Sequence, residues 1–172
     1  MAAPDPPVAR TPAAWRGVQR LDALRVLSLR HLPGASLPEL AGPGRFIGGG
    51  PRWLWRSPSE QLWIGDDTAH RPAAQAVLAA HAPGVDSLCC AIDLSAATIG
   101  YALDHATAEL ALPRLVDAGA IPRAAGAGSR VRYADVTATL LRVDDGTVWL
   151  LADRTLEPYL GAWLDHALLE RS

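Results

Sequence analysis

Apolar residues in the last third of the chain, 128–169, follow two distinct periods. Val131 and Tyr133 alternate with Arg130 and Arg132, and Val136, Ala138 and Leu140 alternate with Thr137 and Thr139. Val148, Leu150 and Ala152 share a third face. A period of two marks strands with one buried face. Asp144-Asp145-Gly146 predicts a tight hairpin, because glycine accepts the positive φ such turns need. From Leu156 the period changes. Leu156, Tyr159, Leu160, Trp163, Leu164, Ala167 and Leu168 form one helical stripe. Thr155 is the expected N-cap, with Glu157 near the positive helix end and Pro158 in the first turn.

Upstream the pattern is weaker. Residues 1–14 are rich in Pro and Ala and read as a disordered or extended tail. Residues 15–32 fit two templates: Trp15, Val18, Leu21 and Leu24 suit a helix face, whereas Leu27 and Leu29 alternate like a strand. Gly and Pro crowd 33–51, which predicts loops. Residues 52–65 predict a hairpin turning at Ser57-Pro58-Ser59-Glu60. A short helix is expected over 72–81, a buried strand over 88–94 and another over 98–103. Asp104 is placed to cap a helix from His105 to about Leu112. Pro113 is expected to kink or break it, with a short turn through Leu115 and Val116. No internal repeat is visible. Strands joined mostly by hairpins, with interspersed helices, indicate an α+β domain over 15–172: an antiparallel sheet with helices packed on one side.

Composition narrows the chemistry. All 16 basic residues are arginine, so a Schiff-base or P-loop lysine is excluded. A net charge of −2 gives nucleic-acid binding little support. The charge is uneven: Arg10, Arg16, Arg20, Arg25, Arg30 and Arg45 crowd the first 45 residues against Asp5, Asp22 and Glu39. Cys89 and Cys90 are adjacent and point to opposite faces of a strand, which suits neither a metal site nor a disulfide. Free thiols fit a reducing cytoplasm, and no apolar run is long enough to span a bilayer.

No catalytic constellation emerges. His31, His70, His81, His105 and His166 form no metal-binding motif. Gly48-Gly49-Gly50 lacks the strand–loop–helix context of a phosphate loop. Asp144-Asp145 is accounted for by its turn, and Asp66-Asp67, after a strand end, fits turn chemistry better than a bound cation. Asp93 is different, since an ionised group in an apolar strand needs partners. Either it bonds the backbone of the Ser95 corner or it pairs with Arg154 at the end of the last strand. These three residues are assigned structural roles. Trp53, Trp55 and Trp63, with Arg56, are the candidate interface residues, because Trp and Arg are enriched where proteins bind one another. The three rings are expected to cover both faces of their hairpin. Catalytic, cofactor-binding and metal-ligating residues are expected to be absent.

Several segments, in order, resemble one family. QLWIGDD, AIDLSAATIGYAL, HATAEL, GSRVRYADVTATLLR and VWLLADRTLEPYLGAWLDHAL are similar to the gamma subunits of heterotetrameric sarcosine oxidases. Asp93, Ser95, Gly128, Arg142, Arg154 and Trp163 fall on that family's pattern positions. His105-Ala106 and the loop 117–127 depart from it. The resemblance implies part of the folate-binding fold of the glycine-cleavage T-protein. It also implies a non-catalytic subunit of a complex that oxidatively demethylates N-methyl amines and passes the one-carbon unit to tetrahydrofolate. FAD, FMN, NAD and tetrahydrofolate are then expected on partner chains: larger alpha and beta flavoprotein subunits, accompanied by a small delta subunit. A free-standing folate-dependent aminomethyl transferase and a small adaptor using the tryptophan hairpin are the alternatives. Neither nucleic acid nor membrane is an expected partner.

Overall fold

Two antiparallel five-stranded sheets lie face to face, with helices on their outer faces. The computed structural model describes residues 15–35, 41–48, 50–85 and 88–169. The tail expected over 1–14 lies outside them. In chain order the elements are β1 (Val18–Arg20), β2 (Leu24–His31), β3 (Phe46–Ile47), β4 (Arg52–Ser57), β5 (Glu60–Asp66), α1 (Arg71–Ala80), β6 (Cys89–Asp93), β7 (Thr98–Asp104), α2 (His105–Leu115), β8 (Gly128–Tyr133), β9 (Val136–Arg142), β10 (Thr147–Asp153) and α3 (Glu157–Leu169). The first sheet has the order β3-β4-β5-β2-β6 and the second β1-β7-β10-β9-β8. The α+β class is thus as expected. Each sheet carries helices on one side, but there are two sheets, because the strands of 24–66 pair among themselves rather than extending the C-terminal set.

Burial follows the alternation. On the first sheet Val26, Leu54, Leu62 and Ile64 turn inward to meet Leu141 and Leu151 of the second. Leu27 and Trp63 turn outward and are covered by Ala74 of α1. The second sheet turns Tyr101, Leu103, Leu140, Val148 and Leu150 outward against Ala108, Leu112, Leu160 and Leu164 of α2 and α3. This outer core is the largest, and Tyr133 anchors it by donating its hydroxyl to the Leu160 carbonyl at 3.1 Å.

The topology contains a repeat that the sequence hides. Strand pair β1–β2, then β3-β4-β5 and α1, is repeated as β6–β7, then β8-β9-β10 and α3. Each half lends its first strand to the other: β1 pairs with β7 and β6 pairs with β2. The reciprocity extends to single bonds. The Leu94 amide donates to the Val26 carbonyl at 2.8 Å, and the Leu21 amide to the Gly100 carbonyl at 2.9 Å. Where the halves meet, Arg45 and Ala127 form an antiparallel bridge. There Phe46 N donates to Gly126 O at 2.9 Å and Gly128 N to Gly44 O at 3.0 Å.

One ambiguity is resolved and two local expectations are corrected. The ambiguous segment 15–32 forms strands β1 and β2, not a helix, because its residues complete two different sheets. Helix α2 runs through Pro113 to Leu115. A proline so near a helix end forfeits one hydrogen bond, and the Val116 amide still closes the last turn on Leu112 at 2.9 Å. Thr155 is not the cap of the last helix. The Asp153 carboxylate accepts from the Thr155 amide at 2.8 Å and opens a 3-10 turn, Arg154–Leu156, that leads into α3.

Candidate functional site

The three assigned structural residues lie where the chain leaves the first sheet for the second. Asp93 ends β6, and Ser95 opens the 3-10 turn Ser95–Ala97 that leads into β7. Asp93 Oδ1 accepts from the Ser95 amide at 2.9 Å and from Ser95 Oγ at 2.6 Å, which folds the corner. Ser95 Oγ in turn accepts from the Val26 amide at 3.0 Å and ties the corner to β2. The expected Asp93–Arg154 pair does not form. Asp93 Oδ2 lies 2.6 Å from Arg25 Nη1 instead. Arg154 donates to the carbonyls of Ala96 at 2.8 Å and Thr98 at 3.0 Å, so it clamps the same corner through its backbone.

Arg25 continues the network, with its Nε 2.7 Å from Asp67 Oδ1, while Arg71 reaches Asp67 Oδ2 at 2.8 Å. The electrostatics follow. Burial works against ionising Asp93, but the Ser95 bonds and the Arg25 charge outweigh it and hold the carboxyl below the usual range. The bond from Arg25, then that from Arg71, holds Asp67 low as well. Paired charges and filled carbonyls leave this corner suited to holding shape. Arg25 was missed by sequence reasoning, since a strand arginine looks like any solvated one.

The tryptophans do not straddle their hairpin. Trp53 and Trp63 are register partners, so they share the outer face, and Trp55 shares it with them. Trp63 is 2% exposed beneath α1, and Trp53 and Trp55 are half-buried. Arg56 turns the other way, into a cleft of about 290 Å³ at the seam between the sheets. Its Nε is buried without a hydrogen-bond partner, and its Nη1 sits 3.4 Å from Glu60.

That cleft has an apolar floor of Val26, Leu62, Leu94 and Leu151, with Arg130 at its wall. Among the described residues Asp153 is the single carboxylate lining it, and it is engaged by the Thr155 hydroxyl and amide, which lower its pKa. The cleft is therefore cationic and has no acid–base pair. The corresponding place at the other end of the seam is closed differently, with Arg52 stacked 4.8 Å above the Trp149 ring. Burial depresses the pKa of this Arg52, and Asp144 partly restores it. Arg142, 4% exposed, pins the loop 117–127 by donating to the Pro122 carbonyl at 2.8 Å, and it meets Glu109 at 3.2 Å. Among the described residues no three His, Cys, Asp or Glu side chains gather to hold a metal ion. No helix among them is long and apolar enough to cross a membrane.

Two face-to-face sheets with exchanged first strands and outer helices define the class of fold. Over 89% of its length the chain superposes on a chain of the heterotetrameric sarcosine oxidase from Corynebacterium sp. U-96, solved in complex with pyrrole 2-carboxylate. The TM-score is 0.76, the identity 20%, and 83% of that chain is covered. No protein-family profile and no curated protein sequence matches. The likeness is one of fold.

Proposed function

We propose that this chain is a non-catalytic, gamma-type subunit of a sarcosine oxidase-like flavoprotein heterotetramer. In this reading it supports oxidative demethylation of N-methyl amines, with the one-carbon unit passed to tetrahydrofolate. FAD, FMN, NAD and tetrahydrofolate reside on partner chains, the larger alpha and beta subunits, beside a small delta subunit. The observation that carries the reading is the fold likeness, over 89% of this chain's length, to a chain of such a heterotetramer. The site geometry agrees with it: the Asp93 and Asp67 carboxylates are paired, and Asp153 is a cap.

The aminomethyl transferase alternative requires a carboxylate base facing a ligand cleft, and among the described residues the seam cleft offers only the engaged Asp153. The adaptor alternative uses the tryptophan hairpin as its binding surface, whereas Trp63 lies under α1. The test is co-expression of the tagged chain with the flavin-bearing chains of its source. A yellow complex containing all the chains supports the subunit reading, and turnover by the isolated chain contradicts it.

A further inference from the structure

We propose that the β2–β6 ribbon, at Leu32, Leu88 and Ile92, docks an apolar, acid-bearing segment of a partner polypeptide; this deepens the subunit reading and rests on it. The register of the ribbon places three cross-strand pairs on one face. Ser28 opposes Ile92, Arg30 opposes Cys90, and the Leu32 amide donates to the Leu88 carbonyl at 2.8 Å to continue the pairing. Leu32 is 56% exposed, Ile92 41% and Leu88 37%. Among the described residues only five large apolar side chains remain exposed, and three of them stand together here. Beside them is an open hollow of about 490 Å³ lined by Arg30, Leu32, Glu60, Leu88 and Cys90. Clustered apolar exposure of this kind marks an interaction surface.

The chain supplies its own control. Strand β1 holds the equivalent edge of the second sheet, and its exposed Gln19 stands where β6 has Ile92. The equivalence follows from the reciprocal bonds of Leu21 and Leu94, each two residues further on. The backbone therefore tolerates a polar residue at this site, and the apolar one serves something beyond the fold.

Three observations identify the occupant. Strand addition is blocked, because the outward Ala91 amide in the middle of β6 already donates to the His81 carbonyl at 2.9 Å. A second copy docking about a two-fold axis through this face would bring Arg30 toward Arg30. Arg30 is also only loosely paired. Its side chain is 66% exposed and its Nε lies 3.8 Å from Glu60, which already accepts from Ser28 Oγ at 2.5 Å. A carboxylate on the partner completes Arg30 while aliphatic side chains cover the leucines.

The experiment compares co-purification of flavin with the tagged full chain, co-expressed with the flavin-bearing chains. The variants are Leu32→Ser/Ile92→Gln, Arg30→Glu and the remote control Leu169→Gln, each checked for an unchanged thermal melt. Loss of about tenfold or more of the co-purified flavin in the first two, with the control unaffected, supports the proposal. Undiminished assembly of both variants overturns the surface while leaving the subunit reading intact. Failure of the wild-type chain to assemble overturns both. A homodimer abolished by Ile92→Gln overturns the choice of occupant.

Discussion

Arg25 and Asp93 meet across the β2–β6 pair at 2.6 Å, where the chain crosses from one sheet to the other. Arg25→Met removes this contact together with the pair to Asp67. The side chains are partly exposed, so the cost is modest: a drop of a few degrees in the melting midpoint at neutral pH. The pH dependence is the sharper readout. Asp93 and Asp67 have folded pKa values below 3.8, so the unfolded chain binds protons first as pH falls. Their contribution is complete above the unfolded pKa and disappears as pH drops through the folded one. The gap in urea midpoint between wild type and Arg25→Met should therefore close as pH falls below about 4. A gap that persists at the lowest pH would contradict the pairing.

The tryptophans separate core from surface. Trp63→Ala empties a site beneath α1 that is 2% exposed and should cost about 3–5 kcal/mol, read by denaturant unfolding. Trp55→Ala, at a half-buried position opposite Gln61, should cost far less. Equal losses would mean the outer face of the first sheet is packed otherwise than described.

Gly100 and Val26 hold equivalent places in the two halves, yet only Val26 has a side chain to bury. A Cβ at Gly100 would lie 2.8 Å from Leu151 Cδ2 and 3.0 Å from Leu21 Cδ1. Gly100→Ala should therefore overpack the seam and destabilise the protein by about 1–3 kcal/mol in urea unfolding. A neutral outcome would show that the leucines yield freely.

Ala134 turns the β8–β9 hairpin with φ at 49°, a region that favours glycine. Ala134→Gly should raise stability by up to about 1 kcal/mol in the same assay. Its amide still donates to the Leu115 carbonyl, so the contact with α2 survives.

Sequence periodicity located the strands and the last helix of the C-terminal third. The alternation over 130–140 and 148–152 became β8, β9 and β10, and the stripe from Leu156 became the 3-10 turn and α3. It was silent on how many sheets there are, because Leu27 and Leu141 look equally apolar while facing different cores. The repeat was hidden for a related reason. Leu62 in one half stands where Trp149 stands in the other, and α2 has no helical counterpart among the described residues. The corner at Asp93 and Ser95 was legible as a place needing partners. Its true partner, Arg25, lies 68 residues away and could be found only once β2 and β6 were paired. The shared face of Trp53, Trp55 and Trp63 was not legible, because it depends on the register across the turn at Ser57–Ser59, with its bulge.

The most direct measurement is absorbance at flavin wavelengths, alongside subunit composition, after tagged chain is purified from cells co-expressing the larger chains. The expected result is a stoichiometric yellow complex whose amine-oxidising activity resides in those partners and falls when this chain is withheld. A colourless monomer that leaves the flavoprotein chains fully assembled and active without it would contradict the supporting role.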